Sequence, residues 1–306
     1  MKLMLTRSSL TCFVVGIAMS VCGAIGAATD GSDLIRGGQF AQATSVLERE
    51  LKQNNDSAAL HCNLGIALLH SRNYRPALQH LLKATQLEST LTPAWLNLAT
   101  CYICINEFDR AVNAYRKVEN LMPQSQPALD PLIDFLSHAS RVDETSMDYA
   151  FKSWKHWAPG ASVKVCVAHH PRYRDIAIAA MTQLCEQAKL QPIFVENKQD
   201  AQFDIEWIKP ANETMLLERG TTSCVARNGN IVGAISQISI ANETGFDFLT
   251  DDIVRKTCLH EIMHGLGVEG HSANVEDVMF PMIELPVGES RLSDRDKATL
   301  RRLYGG

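Results

Sequence analysis

Shifted by 34 positions, the first half of this 306-residue chain falls into register with itself. Phe40, Tyr74 and Phe108 align, as do Ala43, Ala77 and Ala111, and Leu47, Leu81 and Tyr115. Leu64 matches Leu98, and small Gly65 matches Ala99. A period of that length, with small residues at fixed helix contacts, predicts paired antiparallel helices stacked as a solenoid. The small residues let helices approach closely, and the aromatic and leucine positions fill the interface.

The pattern resembles the tetratricopeptide repeat (TPR). Two units are complete, Ala58–Leu91 and Thr92–Ser125, and the second carries Trp95, Leu98, Tyr102, Ala111 and Pro123 where the repeat expects them. His61 and Leu68 depart from a loose pattern. A third, N-terminal unit is half visible as "GGQFAQATSVLEREL". About three units is near the minimum for a stable stack, so a cap is needed. The apolar face of "LDPLIDFLSHASRV" is a candidate. The resemblance implies a concave groove for a peptide or protein partner. A helical spacer is an equally open reading, because fold alone assigns no ligand.

Before the repeats, Lys2 and Arg7 precede the apolar, small-residue run "LTCFVVGIAMSVCGAIGAA". This is the layout of a signal peptide over residues 1–28, with cleavage near Gly26–Ala28, and it predicts an extracytoplasmic protein. A retained membrane anchor is the rival, although the run is short for a span. Lipid attachment at Cys22 is disfavoured by bulky Val21. Removing Lys2 and Arg7 takes the formal charge from -5 to -7, since no acidic residue precedes Asp30. No basic stripe remains to suit nucleic acid. Seven cysteines follow residue 28, an odd number, and Cys101 and Cys104 form the one C-x-x-C. Without a second such pair they read as packed apolar groups in a helix.

The second half has a different rhythm. Pro159 and Gly160 precede a strand-like "VKVCVA", then helical "RDIAIAAMTQLCEQAKL", then three strand-like runs, "PIFVEN", "DIEWIK" and "NIVGAISQISI". An amphipathic helix starts near Thr250–Asp252 and runs through "DIVRKTCLHEIMHGL". The architecture expected is an all-α solenoid joined to a compact α/β (α+β) domain. The divisions are 31–125 for the repeats, 126–158 for cap and linker, and 159–306 for the second domain. His169 and His170, ending the first strand, read as surface histidines.

Within the last stretch, His260 and His264 lie four apart on one helical face, with Glu261 beside them. Gly267 follows, where a helix exit in a left-handed turn could return a third metal ligand. The run resembles the metzincin zinc proteases, H-E-x-x-H-x-x-G-x-x-H plus a methionine turn, and in particular the matrixin branch. The expected third position holds Gly270, and His271 comes one residue later. Downstream spacing favours His271: Ser272 follows it, Met279 is eighth after it, and Phe280 and Pro281 complete a Met-x-Pro turn. The closing "LSDRDKATLRRLYG" also resembles the last matrixin helix. Glu269 competes as third ligand but is out of register with those features.

The resemblance implies one catalytic zinc on His260, His264 and His271, with Glu261 as general base for a zinc-activated water and Met279 as an apolar floor. It implies that "NIVGAISQISI" is the sheet edge that pairs with an extended substrate, and that Phe280–Arg291 lines the specificity pocket. Structural calcium in the family has no assignable residues here. The latency motif Pro-Arg-Cys-Gly is missing, which removes the basis for a cysteine switch, and Cys258 points away from the ligand face. The expected function is an exported zinc metalloendopeptidase whose repeats dock or target it. The alternatives are a repeat adaptor with an inactive protease-like domain and a peptide-binding envelope protein with structural zinc.

Overall fold

The computed structural model describes residues 30–139, 155–208, 220–240, 250–281 and 291–305. The leader-like residues 1–28, the linker 140–154 and most of the expected pocket segment, 282–290, lie outside the described residues. No helix among the described residues is long and apolar enough to cross a membrane. The chain divides into two compact units.

The first unit is a stack of helical hairpins: α1 (Asp30–Arg36) with α2 (Phe40–Gln53), α3 (Ala58–His70) with α4 (Tyr74–Leu87), and α5 (Thr92–Cys104) with α6 (Phe108–Leu121). The 34-residue period is visible in the turns as well as in the core. Gly38, Arg72 and Asn106 are all left-handed, with φ of 70°, 61° and 59°. After each, the next amide donates back across the turn: Gln39 to Leu34, Asn73 to Leu68 and Glu107 to Tyr102, at 2.8–2.9 Å. These are Schellman closures, which satisfy the last carbonyls of a helix and reverse the chain. The half-visible N-terminal unit is therefore a full hairpin.

Small residues do the work expected of them. A Cβ on Gly65 would lie 2.6 Å from Leu81 Cγ, so this crossing depends on a missing side chain. Ala43, Ala77, Ala99 and Ala111 are fully buried. A seventh helix, α7 (Gln126–Ala139), packs on α6 through Leu129, Leu132, Ile133 and Leu136, one stripe at helical spacing. Cys101 and Cys104 are buried thiols, and no disulfide joins the seven cysteines of the described residues.

The second unit is built on one five-stranded sheet. Its elements are β1 (Ser162–Val167), α8 (Arg174–Ala188), β2 (Gln191–Phe194), β3 (Phe203–Ile208), β4 (Gly220–Arg227), β5 (Asn230–Ser239), α9 (Asp251–Gly265) and α10 (Asp294–Leu303). The order across the sheet is β2-β1-β3-β5-β4, parallel except for β4, which pairs antiparallel with β5. Alternate residues Val163, Val165 and Val167 of β1 face the core, with Ala177, Met181 and Leu184 of α8 and Leu259, Ile262 and Met263 of α9.

Two sequence-based expectations are corrected here. "NIVGAISQISI" (β5) is an interior strand, hydrogen-bonded on both sides, and among the described residues the sheet ends instead at β4. β4 went unrecognised because its period-2 alternation is masked by small polar residues. Yet Asn228 and Gly229, both left-handed, form the two-residue hairpin turn into β5, and Asn-Gly is the strongest short hairpin signal. Second, α9 is not amphipathic in its setting, since every residue from Lys256 to Gly265 is buried. Its polar face is enclosed by β4 and β5 before it and by the chain that follows it, rather than by water.

Candidate metal centre

The helix that carries the histidines is capped at its start by Thr250, whose hydroxyl accepts from the Ile253 amide at 3.3 Å. Asp251 and Asp252 in the first turn complement the positive end of the helix dipole. At the other end the chain must turn sharply. Gly267 adopts φ of 107°, and a Cβ there would stand 2.2 Å from the Lys155 carbonyl oxygen. Trp157 and Tyr304 seal this exit: Trp157 Nε1 donates to the Gly265 carbonyl at 3.0 Å, and the Tyr304 hydroxyl to the Leu266 carbonyl at 2.6 Å.

The segment leaving Gly267 brings His271 back over α9. His260, His264 and His271 form one cluster whose potential ligand atoms all lie within 4.8 Å of one another. The imidazole of His271 stacks on that of His260, with centroids 5.2 Å apart, and meets His264 edge-on at 5.1 Å. Glu269 is not in the cluster; its carboxylate faces Lys155 Nζ at 3.8 Å. The inserted residue is absorbed in the turn through Val268–Gly270.

Two of the imidazoles are held in a defined tautomer. His260 Nδ1 lies 2.8 Å from the Val278 carbonyl, and His264 Nδ1 lies 2.6 Å from the Val268 carbonyl. Carbonyls only accept, so each Nδ1 carries the proton and each Nε2 presents a lone pair. Those two Nε2 atoms face each other at 3.2 Å with no proton to share. Such an arrangement is repulsive unless a cation sits between them. Two nitrogens bound tetrahedrally to zinc at their usual bond lengths would be ~3.4 Å apart. Burial lowers the His264 pKa to about 4. Burial, then the neighbouring His264 and His271, holds His260 well below the usual range. Both are neutral at pH 7. The donor set fits zinc.

Met279 is fully buried, and Pro281 two residues on is buried. Their turn is tied to the histidines by backbone: the Ser272 amide donates to the Met279 carbonyl at 2.9 Å, and Val278 supplies the acceptor for His260. Buried Asp277 joins this turn to the last helix, through Ser272 Oγ, Ser293 Oγ at 2.7 Å and Arg295 Nε at 3.0 Å. Asp296, in a capping box with Ser293, accepts from the Val278 amide at 3.0 Å. Sequence reasoning missed both aspartates. The Ser-x-x-Asp box announces Asp296, whereas nothing local announces Asp277.

Glu261 is also fully buried. Its Oε2 lies 2.8 Å from Thr222 Oγ1 on β4. A Cβ on Gly220 would stand 2.4–2.6 Å from the Glu261 Cγ, Cδ and Oε1 atoms, so the edge strand leaves a slot for this carboxylate. Neither Gly220 nor Thr222 was singled out from sequence. Cys258 is buried, and burial raises its thiol pKa far from the thiolate range. His170 is a turn-former: its Nδ1 accepts from the Arg172 and Tyr173 amides at 3.2 and 3.1 Å.

Comparison with known proteins places these features in context. The sequence profile of the matrixin peptidases matches residues 124–305. Among curated proteins, the O-mannosyl-transferase TMTC3 is 34% identical over 77 residues in both human and mouse, covering 25% of this chain. That stretch is 8% of TMTC3, so the chain spans a small fraction of these relatives. Among solved structures, myroilysin aligns at 16% identity and TM-score 0.33, covering 51% of this chain and 89% of its own. The first TPR domain of Spaghetti (RPAP3), bound to an HSP90 peptide, aligns at 15% identity and TM-score 0.35, covering 43% of this chain and 98% of its own.

Proposed function

The chain belongs to the matrixin family of peptidases, and from that premise we propose that it is an exported zinc metalloendopeptidase. The observation that carries this reading is the convergence of three imidazoles, two with their Nε2 lone pairs preset, with buried Glu261 next to His260 on the same helix. Zinc held by His260, His264 and His271 would supply a Lewis acid that acidifies a water molecule and polarises the scissile carbonyl.

The chain's own residues do the remainder. Glu261 accepts the proton of the attacking water at a carboxylate oxygen and delivers it to the leaving amine nitrogen. The carbonyls of Val278 and Val268 fix the tautomer and orientation of the imidazoles, while burial keeps them neutral. Met279 gives the cluster an apolar floor. The substrate would lie along β4, which is the last strand of the sheet among the described residues, and pair with it through backbone as an extended peptide. Residues 1–28 would direct export and then be removed. The repeat unit would dock a peptide or protein, either the substrate or a targeting partner.

The test is zinc content and peptide cleavage by the chain lacking residues 1–28. Stoichiometric zinc with cleavage that falls to a small residual rate in Glu261→Ala, about 10²–10⁴-fold lower, supports the proposal. Zinc retention without cleavage of any peptide in a diverse library would replace it with an inactive, protease-like adaptor.

A further inference from the structure

The surroundings of Glu261 carry one step more, which rests on the peptidase reading. We propose that Thr222 is the positioning residue for Glu261, fixing through its hydroxyl the orientation of the carboxylate that serves as the base. Thr222 lies on β4 directly across from Ser236 of β5, and both are buried. Three oxygens crowd its Oγ1: Glu261 Oε2 at 2.8 Å, the Glu261 carbonyl at 2.9 Å and Ser236 Oγ at 2.9 Å. Ser236 Oγ itself lies 3.3 Å from the same carbonyl.

Counting protons resolves this cluster. A carboxylate and a carbonyl only accept, so the hydroxyls of Thr222 and Ser236 are the side-chain donors of this group. If Thr222 gave its proton to the carbonyl, its lone pairs would face a buried anionic oxygen at 2.8 Å. Donation to Oε2 removes that repulsion and makes the charge-assisted bond, the stronger kind. Ser236 then donates to the carbonyl or to Thr222 Oγ1. Oε2 is thereby held by the strand, which fixes the orientation of the carboxylate that takes the proton of the attacking water.

Gly220 completes the device. It lies two residues earlier on β4, on the face that meets α9, and its lack of a side chain admits the carboxylate against the strand. A glutamate side chain has three rotatable bonds. Here a steric slot confines the stem and a hydroxyl pins one oxygen. The same strand would pair with the substrate, so one element sets both the peptide and the base. A purely structural role would be different: the two hydroxyls would only satisfy the Glu261 carbonyl, and the carboxylate would find its position unaided.

The experiment compares Thr222→Val, which keeps the shape and removes the hydroxyl, with Thr222→Ser, which keeps the hydroxyl. Each is measured for kcat, KM, zinc content and thermal midpoint in the chain lacking residues 1–28. The expected result is a kcat about ten- to hundred-fold lower in Thr222→Val, with KM and zinc content as in wild type, and recovery of most of the loss in Thr222→Ser. In a Glu261→Ala background, Thr222→Val should lower the residual rate no further, because the two act as a unit. Wild-type kcat in Thr222→Val overturns the proposal, and so does a Thr222→Ser variant as slow as Thr222→Val. A loss that persists in the Glu261→Ala background points to structure alone and also overturns it. Should Thr222→Val fail to fold, the Thr222→Ala variant replaces it in the same comparison. A wild-type protein that cleaves nothing defeats the peptidase reading first, and this inference with it. An active wild type with an unaffected Thr222→Val defeats only the inference.

Discussion

Replacing Gly267 with alanine tests how the chain leaves the metal helix. The backbone there has φ of 107°, and an added Cβ would meet the Lys155 carbonyl oxygen at 2.2 Å. A left-handed or rarer conformation costs an ordinary residue about 1–3 kcal/mol. Forcing a methyl against backbone that cannot rotate away adds about 1–3 kcal/mol. A total near ~4 kcal/mol corresponds to roughly 8–16 °C in thermal midpoint for a domain of this size. Gly160→Ala is the internal control: φ is 73°, but nothing lies within 4 Å of the new Cβ. Only the conformational cost applies there, about 1 kcal/mol or roughly 2–4 °C. The Gly267 change should also weaken zinc binding about 10–100-fold, because Val268 next to it holds His264 Nδ1. Differential scanning calorimetry with and without a chelator, together with zinc titration, reads both effects. Equal midpoints for the two alanine variants, with wild-type zinc affinity, would refute the argument that this glycine is needed for the close approach.

Three further outcomes are expected. Glu261→Gln should retain zinc while kcat/KM falls by about 10²–10⁴-fold, read by metal analysis and peptide cleavage. His271→Ala should lose zinc on dialysis and Glu269→Ala should not, since the Glu269 carboxylate faces Lys155; the reverse result would move the third ligand to Glu269. Without metal, the second unit should lose stability as pH falls from about 6.5 toward about 4, because folding lowers the His264 pKa over that interval. There the unfolded chain binds a proton that the folded chain excludes, so stability rises with pH, by up to about 1.4 kcal/mol per unit for one group. His264→Gln should flatten that slope in urea titrations of the metal-free protein.

Much of the fold was readable because it is written in local spacing. The 34-residue period appears in the core and again in the turns at Gly38, Arg72 and Asn106. Helix geometry alone puts His260 and His264 on one face. β4 was missed because "GTTSCVAR" carries few large apolar residues. A strand of this kind is stabilised by its pairing with β5 and its packing on α9, not by its own composition. The resemblance places an edge strand ahead of the histidine helix, and with β4 unrecognised that place fell to β5. The enclosed state of α9 was hidden for a related reason: its polar side chains face a cluster of partners contributed by residues far along the chain.

By itself the sequence determined the two kinds of architecture, the helical spacing of His260, Glu261 and His264, and the need for an unusual backbone at Gly267. Each of these depends on interactions within a few residues, where geometry is set by helix and turn stereochemistry. Only the tertiary structure decided that His271, and not Glu269, lies against the other two imidazoles. It alone brought Gly220 and Thr222 beneath Glu261, and Asp277 against Ser272, Ser293 and Arg295. Contacts of that kind depend on strand order and on the direction in which a loop returns, and both are set by burial of the whole core.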